Sequence, residues 1–278
     1  MRLNLRKYKI DFKRIMQLLL MIIIIFPTEI LAGISIENAL SHLYEAKVGE
    51  KYSGTIIVKN SDDKATKVNI YKKDYSFTSD GKSNYAQPGT LDRSNANWIT
   101  IVPEVITIPA NDKVKINYIV QTPVSEDLRG SYWSMIMVEK VVDPRLTDEG
   151  ADDVSVGIFL STRYGIQIVT NVGNTGEKKL KLIKTNIKTN NKKNFLVVDV
   201  ENIGIMFLKA GVYAEFYNND GEYIGKFSAE NKKRIYPNTS VRYKININDV
   251  SSGEYQLLVV ADGGENALFG AKYTITIK

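Results

Sequence analysis

Apolar and polar residues alternate with a period of two through most of the chain after residue 32. Val114, Ile116, Tyr118 and Val120 alternate with Lys113, Lys115, Asn117 and Ile119. Val241, Tyr243, Ile245 and Ile247 alternate with Arg242, Lys244, Asn246 and Asn248, and Tyr273, Ile275 and Ile277 close the chain in the same manner. Successive strand side chains point to opposite faces, so this pattern predicts half-buried strands. The richness in Tyr, Val, Ile and Thr agrees. Turn signals separate the runs: Asp80-Gly81, Pro109-Ala110-Asn111-Asp112, Asn219-Asp220-Gly221, Pro237-Asn238-Thr239 and Asp262-Gly263-Gly264. No stretch of ten or more residues carries a convincing helical period. Many short strands at this spacing predict an all-β protein built from antiparallel sandwiches.

The strand pattern occurs twice. Val58-Lys59-Asn60 is echoed by Val200-Glu201-Asn202, and each is followed by a strand ending in an Asp-Gly turn, at Gly81 and at Gly221. Pro109 to Val120 then matches Pro237 to Ile247. Val124 to Glu139 matches Val250 to Asp262, with Gly130 and Tyr132 opening one apolar strand and Gly253 and Tyr255 the other. Four landmarks in one order indicate a degenerate duplication. The first copy carries extra residues, mainly across Tyr85–Asn97. The expected organisation is two tandem immunoglobulin-like sandwiches at 33–171 and 172–278, with the boundary in the polar cluster Asn171–Gly176.

The first 32 residues read differently. Six bases precede the apolar run Ile15 to Phe26, which is broken at Pro27 and followed by Leu31-Ala32. A run of twelve residues, Gln17 among them, is too short to span a bilayer, which takes about 20. The flanks are those of a signal peptide, expected at 1–32. No Cys follows the run, as a lipoprotein would need, and the rest of the sequence offers no membrane-spanning stretch. The expected location is therefore outside the cytoplasm, in a periplasm or at the cell surface. The leader also changes the charge. The chain has 37 basic and 31 acidic residues and a formal net charge of +6. Six of those bases and two of those acids lie in the leader, which leaves 31 and 29, a net of +2. Nucleic-acid binding loses its main warrant.

The remaining chemistry is sparse. With no Cys and a single His, thiolate metal sites, cysteine nucleophiles and multi-histidine centres are excluded. His42 has no accompanying nucleophile motif. Asp148, Glu149, Asp152 and Asp153 match no calcium-loop spacing. No cofactor, no metal and no catalytic residue is expected, and the chain reads as a non-enzymatic binding protein. Lys178 to Lys193 reads as a solvated, lysine-rich strand face, and Trp98 and Trp133 as core anchors.

Several first-copy segments resemble the N-terminal domain of the PapD-like periplasmic chaperones. They are Val58-Lys59-Asn60, Trp98-Ile99 through Val102-Pro103, the Ile108-Pro109 turn and Gly130 to Val141. Val154 to Val169 (VSVGIFLSTRYGIQIV) resembles those chaperones' donor strand. The second copy is similar to the immunoglobulin-like domain of WxL-interacting surface proteins, in Val200–Gly204, the Pro237 turn and Ser252–Leu257. The first resemblance implies strand addition to secreted or surface protein subunits. Val156, Ile158 and Leu160 would be the donated row, unless that row faces its own core. It also implies two cations that clamp a partner's terminal carboxylate. The donor-strand lysine position falls on Gly165, with Arg163 on the same face as a substitute, and the first-strand arginine is missing, leaving only His42. The alternative reading is a structural or adhesive surface module that binds an envelope polymer or wall protein. Oligomeric state and client are not set by these patterns.

Overall fold

The computed structural model describes residues 33–141, 161–173 and 175–278. Among them there is no α-helix, and eighteen strands form two immunoglobulin-like sandwiches in tandem. In the first, β1 (Ile34–Ile36), β3 (Lys51–Asn60), β8 (Lys113–Gln121) and β6 (Ile99–Ile101) form one sheet in the order β1-β3-β8-β6. The facing sheet runs β2-β10-β9-β4-β5, from β2 (Ser41–Ala46), β10 (Arg163–Val172), β9 (Gly130–Lys140), β4 (Thr66–Phe77) and β5 (Ser83–Ala86), with β7 (Val105–Ile108) also on β4. The second sandwich stacks β11 (Leu180–Asn190), β12 (Lys193–Asn202) and β16 (Ser240–Asn246) on β14 (Tyr223–Ser228), β13 (Leu208–Tyr217), β17 (Gly253–Asp262) and β18 (Leu268–Ile277). There β15 (Lys233–Ile235) pairs with β13.

The period of two places the core. Ile56, Val58, Ile116, Tyr118 and Val120 from one sheet meet Val68, Ile70, Ile136, Val138, Ile166 and Ile168 from the other. In the second sandwich Leu196, Val198, Val200, Tyr243 and Ile245 meet Val212, Ala214, Phe216, Leu257 and Val259. The duplication has a physical signature at Asn60 and Asn202, both fully buried at the end of equivalent strands. The Asn60 amide donates to the carbonyls of Lys64 and Pro109, and its oxygen accepts from the Asp62 N–H. Asn202 donates to Met206 and Ile235 and accepts from Gly204. In each copy one side chain ties a strand end to its own loop and to the segment before the next strand's turn. Only an amide, with two donors and an acceptor, does this.

The extra residues of the first copy also have a structural role. β4 pairs with β9 only from Val68 to Lys73 and then pairs with β5 from Asp74 to Phe77. At the divergence the buried Asp74 carboxylate accepts the N–H groups of Gly89, Thr90 and Leu91 and the Ser94 hydroxyl. The loop so fixed takes the place of β4 beside β9, where the Arg93 carbonyl accepts the Trp133 N–H at 3.0 Å. The freed β4–β5 hairpin reaches the second sandwich, where the Ser79 N–H donates to the Ser240 hydroxyl at 2.9 Å.

Candidate functional site at the open edge of β10

β10 is paired with β9 along its whole length, Arg163 opposite Glu139 through Val172 opposite Gly130. On its other side β2 runs parallel to it, but only from Gln167 to Val172. Among the described residues the stretch Arg163–Ile166 has no ladder partner on that side. The Gln167 N–H donates to the Leu40 carbonyl. Backbone groups alternate in direction along a strand, so those of Arg163 and Gly165 point toward the same open side. Unpaired strand edges of this kind are templates for another strand. Ile166 and Ile168 face the core, with Tyr164 packed against it. Arg163, Gly165, Gln167 and Val169 therefore occupy the opposite face.

That outer face is apolar where β9 adjoins it. Met135 and Met137 are 6% and 3% exposed, so β9 is buried on both faces. A Cβ at Gly165 would lie 3.1 Å from the Met135 sulfur and 3.4 Å from that of Met137, so the two thioethers lean into the space a side chain would fill. Farther along, Trp133 and Val169 join Tyr236 of the second sandwich, with Phe77 and Phe207 packed around them. The Trp133 and Tyr236 rings stack at 4.8 Å and 11°. Trp133 is thus a joint between sandwiches rather than an anchor inside one. The Tyr236 hydroxyl donates to Gln167 Oε1 at 2.7 Å, and burial pushes its pKa up.

Arg234, in β15, extends across the same junction. Its Nη1 donates to the Ser41 hydroxyl, to Gln167 Oε1 and to the Tyr236 hydroxyl. Ser41 and Gln167 are register partners, so the guanidinium sits where β2 begins to cover β10. No carboxylate among the described residues lies in ion-pair range of it. The junction is held by backbone as well. The Ser131 N–H donates to the Ile205 carbonyl at 2.8 Å, and the Ser131 hydroxyl accepts the Phe207 N–H at 2.8 Å. Gly130, at φ +82°, lets the backbones approach, since a Cβ there would collide with the Ile205 carbonyl.

Of the residues singled out from sequence, Arg163 opens β10 as an exposed side chain on the outer face, held cationic by Tyr71 and Glu139. Val156, Ile158 and Leu160 lie outside the described residues, as does the acidic segment 143–153. His42 does not offer its ring to the open edge. Its Nδ1 is hydrogen-bonded to the Tyr118 hydroxyl at 2.6 Å, and burial lowers its pKa. Arg234 is the residue that sequence reading missed. The chaperone resemblance points to a cation on the first strand, whereas Arg234 comes from β15 of the other sandwich.

No protein-family model matches the chain, and no curated protein matches it. Solved structures do resemble it over most of its length. One is the class 5 fimbriae chaperone CfaA, 16% identical, covering 86% of this chain and 98% of that one at a TM-score of 0.47. Another is a chain of the Salmonella enterica SafA pilin–SafB chaperone complex, 13% identical over 90% of this chain and 99% of that one, at 0.42. A third comes from the Acinetobacter baumannii CsuC–CsuE chaperone–tip adhesion subunit complex, 13% identical over 76% and 89%, at 0.40. These neighbours are fimbrial chaperone structures. No helix among the described residues is long and apolar enough to cross a membrane.

Proposed function

We propose that this is an exported, non-enzymatic, chaperone-like protein that holds secreted or surface subunits by strand addition along the open edge of β10. The observation that carries the reading is the arrest of β2 at Gln167, which leaves Arg163–Ile166 unpaired beside an apolar face. An added strand supplies main-chain hydrogen bonds to such an edge and alternate side chains to the surface beside it. Val156, Ile158 and Leu160, the row that the chaperone resemblance marks for donation, precede this edge in the sequence and are the residues proposed to be donated. Burying three aliphatic side chains contributes roughly 1.5–3 kcal/mol each before ordering costs.

β2 also sets where the added strand stops. At Gln167 the edge is already occupied, so the incoming chain must end or leave the sheet beside Arg234. A terminal carboxylate there meets a guanidinium with no acidic partner among the described residues, and charge-assisted bonds of this type are among the stronger ones. Arg234 would thus serve in place of the first-strand arginine that the chaperone resemblance calls for, with Arg163 as the second cation on the β10 face.

The test is a pull-down of secreted proteins from the native host by the full chain and two variants, Arg234→Ala and Val156→Asp/Ile158→Asp/Leu160→Asp, with circular dichroism as the folding control. The expected result is loss of partners from both. Folded variants that keep every partner of the parent would overturn the reading.

A further inference from the structure

A second open edge lies in the other sandwich. Among the described residues β16 has one ladder partner, β12, and no strand pairs with its other side. The Ile247 N–H donates to the Asn194 carbonyl of β12. Backbone groups alternate in direction along a strand, so those of Tyr243 and Ile245 point toward β12 and those of Arg242, Lys244 and Asn246 point away from it. The Arg242 carbonyl agrees with this direction, since it accepts a bond from Lys233 Nζ of β15 at 2.5 Å. An amine thus stands where the N–H of a further strand would come. The start of the edge is closed, because the Ser79 N–H of the first sandwich donates to the Ser240 hydroxyl. The open length is Arg242–Asn246, roughly 17 Å at about 3.3 Å per residue.

The charge along this stretch is unbalanced. Tyr243 and Ile245 are buried in the core, and Arg242, Lys244 and Asn246 occupy the opposite face. Arg242 is matched by Asp199 through two bonds. Lys233 and Lys244 have no carboxylate in ion-pair range among the described residues, and the exposed Glu230 nearby reaches neither. Desolvation first and Lys244 second push the Lys233 pKa down. Beside the edge opens a cavity of about 520 Å³, with Phe195, Ala229, Lys233 and Lys244 in its lining. Edge lysines ordinarily keep other strands away by standing in water. Lys233 instead leans onto the edge and satisfies one of its carbonyls.

We infer that β16 accepts an acidic extended segment of a partner protein as an added strand, with a carboxylate at the position facing Lys244. Cross-strand partners share a face, and opposite charges set there attract. Carboxylates at alternate positions therefore fall on the Arg242–Lys244 face, and the residues between them turn toward the other side of the sheet. A backbone N–H of the segment takes over the Arg242 carbonyl, and the released Lys233 amine pairs with a carboxylate. A second copy of this chain fits the edge poorly. Antiparallel pairing of β16 with itself brings Arg242 and Lys244 against the same cations of the copy, and like charges across a strand pair repel. The site is separate from β10 and does not depend on the reading built there.

The experiment uses the full chain and synthetic nine-residue peptides of alternating Glu and Val, with Gln or Lys in place of Glu as references. Binding is read by fluorescence anisotropy. The Glu peptide is expected to bind about ten-fold more tightly than the Gln peptide. Lys244→Glu, at an exposed position, should lose that preference and favour the Lys peptide. N-methylation of one alternate set of peptide nitrogens should abolish binding and that of the other set should not, because only every second N–H of an added strand faces the edge. If the Glu peptide does not bind, or is not preferred over Gln, the inference fails. If neither N-methylated set is affected, the lysines form a cationic patch without strand addition, and the inference fails. If the Glu preference survives in folded Lys244→Glu, the peptide sits elsewhere, the β10 edge included, and the inference fails. If sedimentation shows a dimer of the parent that the Glu peptide dissociates, the occupant is a second copy and the acidic partner is wrong. The peptide series on the parent protein keeps the test decisive even if the variant does not fold.

Discussion

The matched asparagines permit a controlled perturbation of the two sandwiches. Asn202→Ala removes donation to the Met206 and Ile235 carbonyls at 2.8 and 2.9 Å and acceptance from the Gly204 N–H at 2.9 Å. The site is fully buried, so water does not replace these bonds. At a net contribution of about 1 kcal/mol per bond, the loss is about 3 kcal/mol, and Asn60→Ala should cost a similar amount. Asn202→Asp tests the direction of the bonds rather than their number. A carboxylate oxygen would then face two carbonyl oxygens, so the aspartate variant is expected to be less stable than the alanine variant at neutral pH and to recover as the pH is lowered. The assay is urea unfolding followed in parallel by tryptophan fluorescence and far-ultraviolet circular dichroism. Both tryptophans, Trp98 and Trp133, lie in the first sandwich. Asn60→Ala should therefore move the fluorescence midpoint directly, whereas Asn202→Ala should move it only through the Trp133–Tyr236 stack. A loss below about 1 kcal/mol in either alanine variant, or an aspartate variant milder than the alanine one, would refute the reasoning.

Three further outcomes are expected. Arg242 holds Asp199 by two 2.7 Å bonds, and the Asp199 side chain is only 4% exposed; Arg242→Ala strands that carboxylate and should cost about 2–4 kcal/mol, with Arg242→Lys intermediate, measured by urea midpoint. Burial lowers the pKa of His42 in the folded state. The unfolded chain therefore binds the proton more readily, and stability is full above about 6.5 and falls as the pH drops from there through the folded value; His42→Gln should remove that slope between pH 7 and 5 in a series of urea midpoints. Asp74→Ala removes four bonds that shape the Gln87–Asn95 loop; it should cost about 2–4 kcal/mol and open that loop to limited proteolysis, and unchanged cleavage would contradict the assignment.

The fold was legible because one face of most strands meets a core and the other meets water. Ile116, Tyr118 and Val120 are buried and the intervening Lys115, Asn117 and Ile119 exposed, as a period of two requires. The pattern fails where a second face is covered. In β9 Ser134, Ile136 and Val138 point inward, and Trp133, Met135 and Met137 are buried on the other side, so the segment shows no alternation. Polar residues also occupy core positions: Ser134 donates to Asn95 Oδ1 at 2.6 Å and Asn95 donates to the Thr170 hydroxyl at 2.9 Å, so each is satisfied within the core. Arg234 was illegible for another reason. Its role comes from the packing of one sandwich on the other, and no local period encodes that contact. Gly165 could be aligned from sequence, but the thioethers beside it come from the neighbouring strand.

The split of the N-terminal segment has a consequence for the order of events in folding. β1 joins one sheet through β3, and β2 joins the other through β10, where Ser41 pairs with Gln167, 126 positions later. A chain that emerges N-terminus first therefore presents β2 long before its companion exists, and the closing contact of the first sandwich is one of its most distant in sequence, a slow kind of contact to form. Until β10 arrives, the nascent protein is itself a sandwich lacking a strand, exposed to stray pairing along the gap. It passes, during its own biogenesis, through the same predicament from which it is proposed to shield its partners.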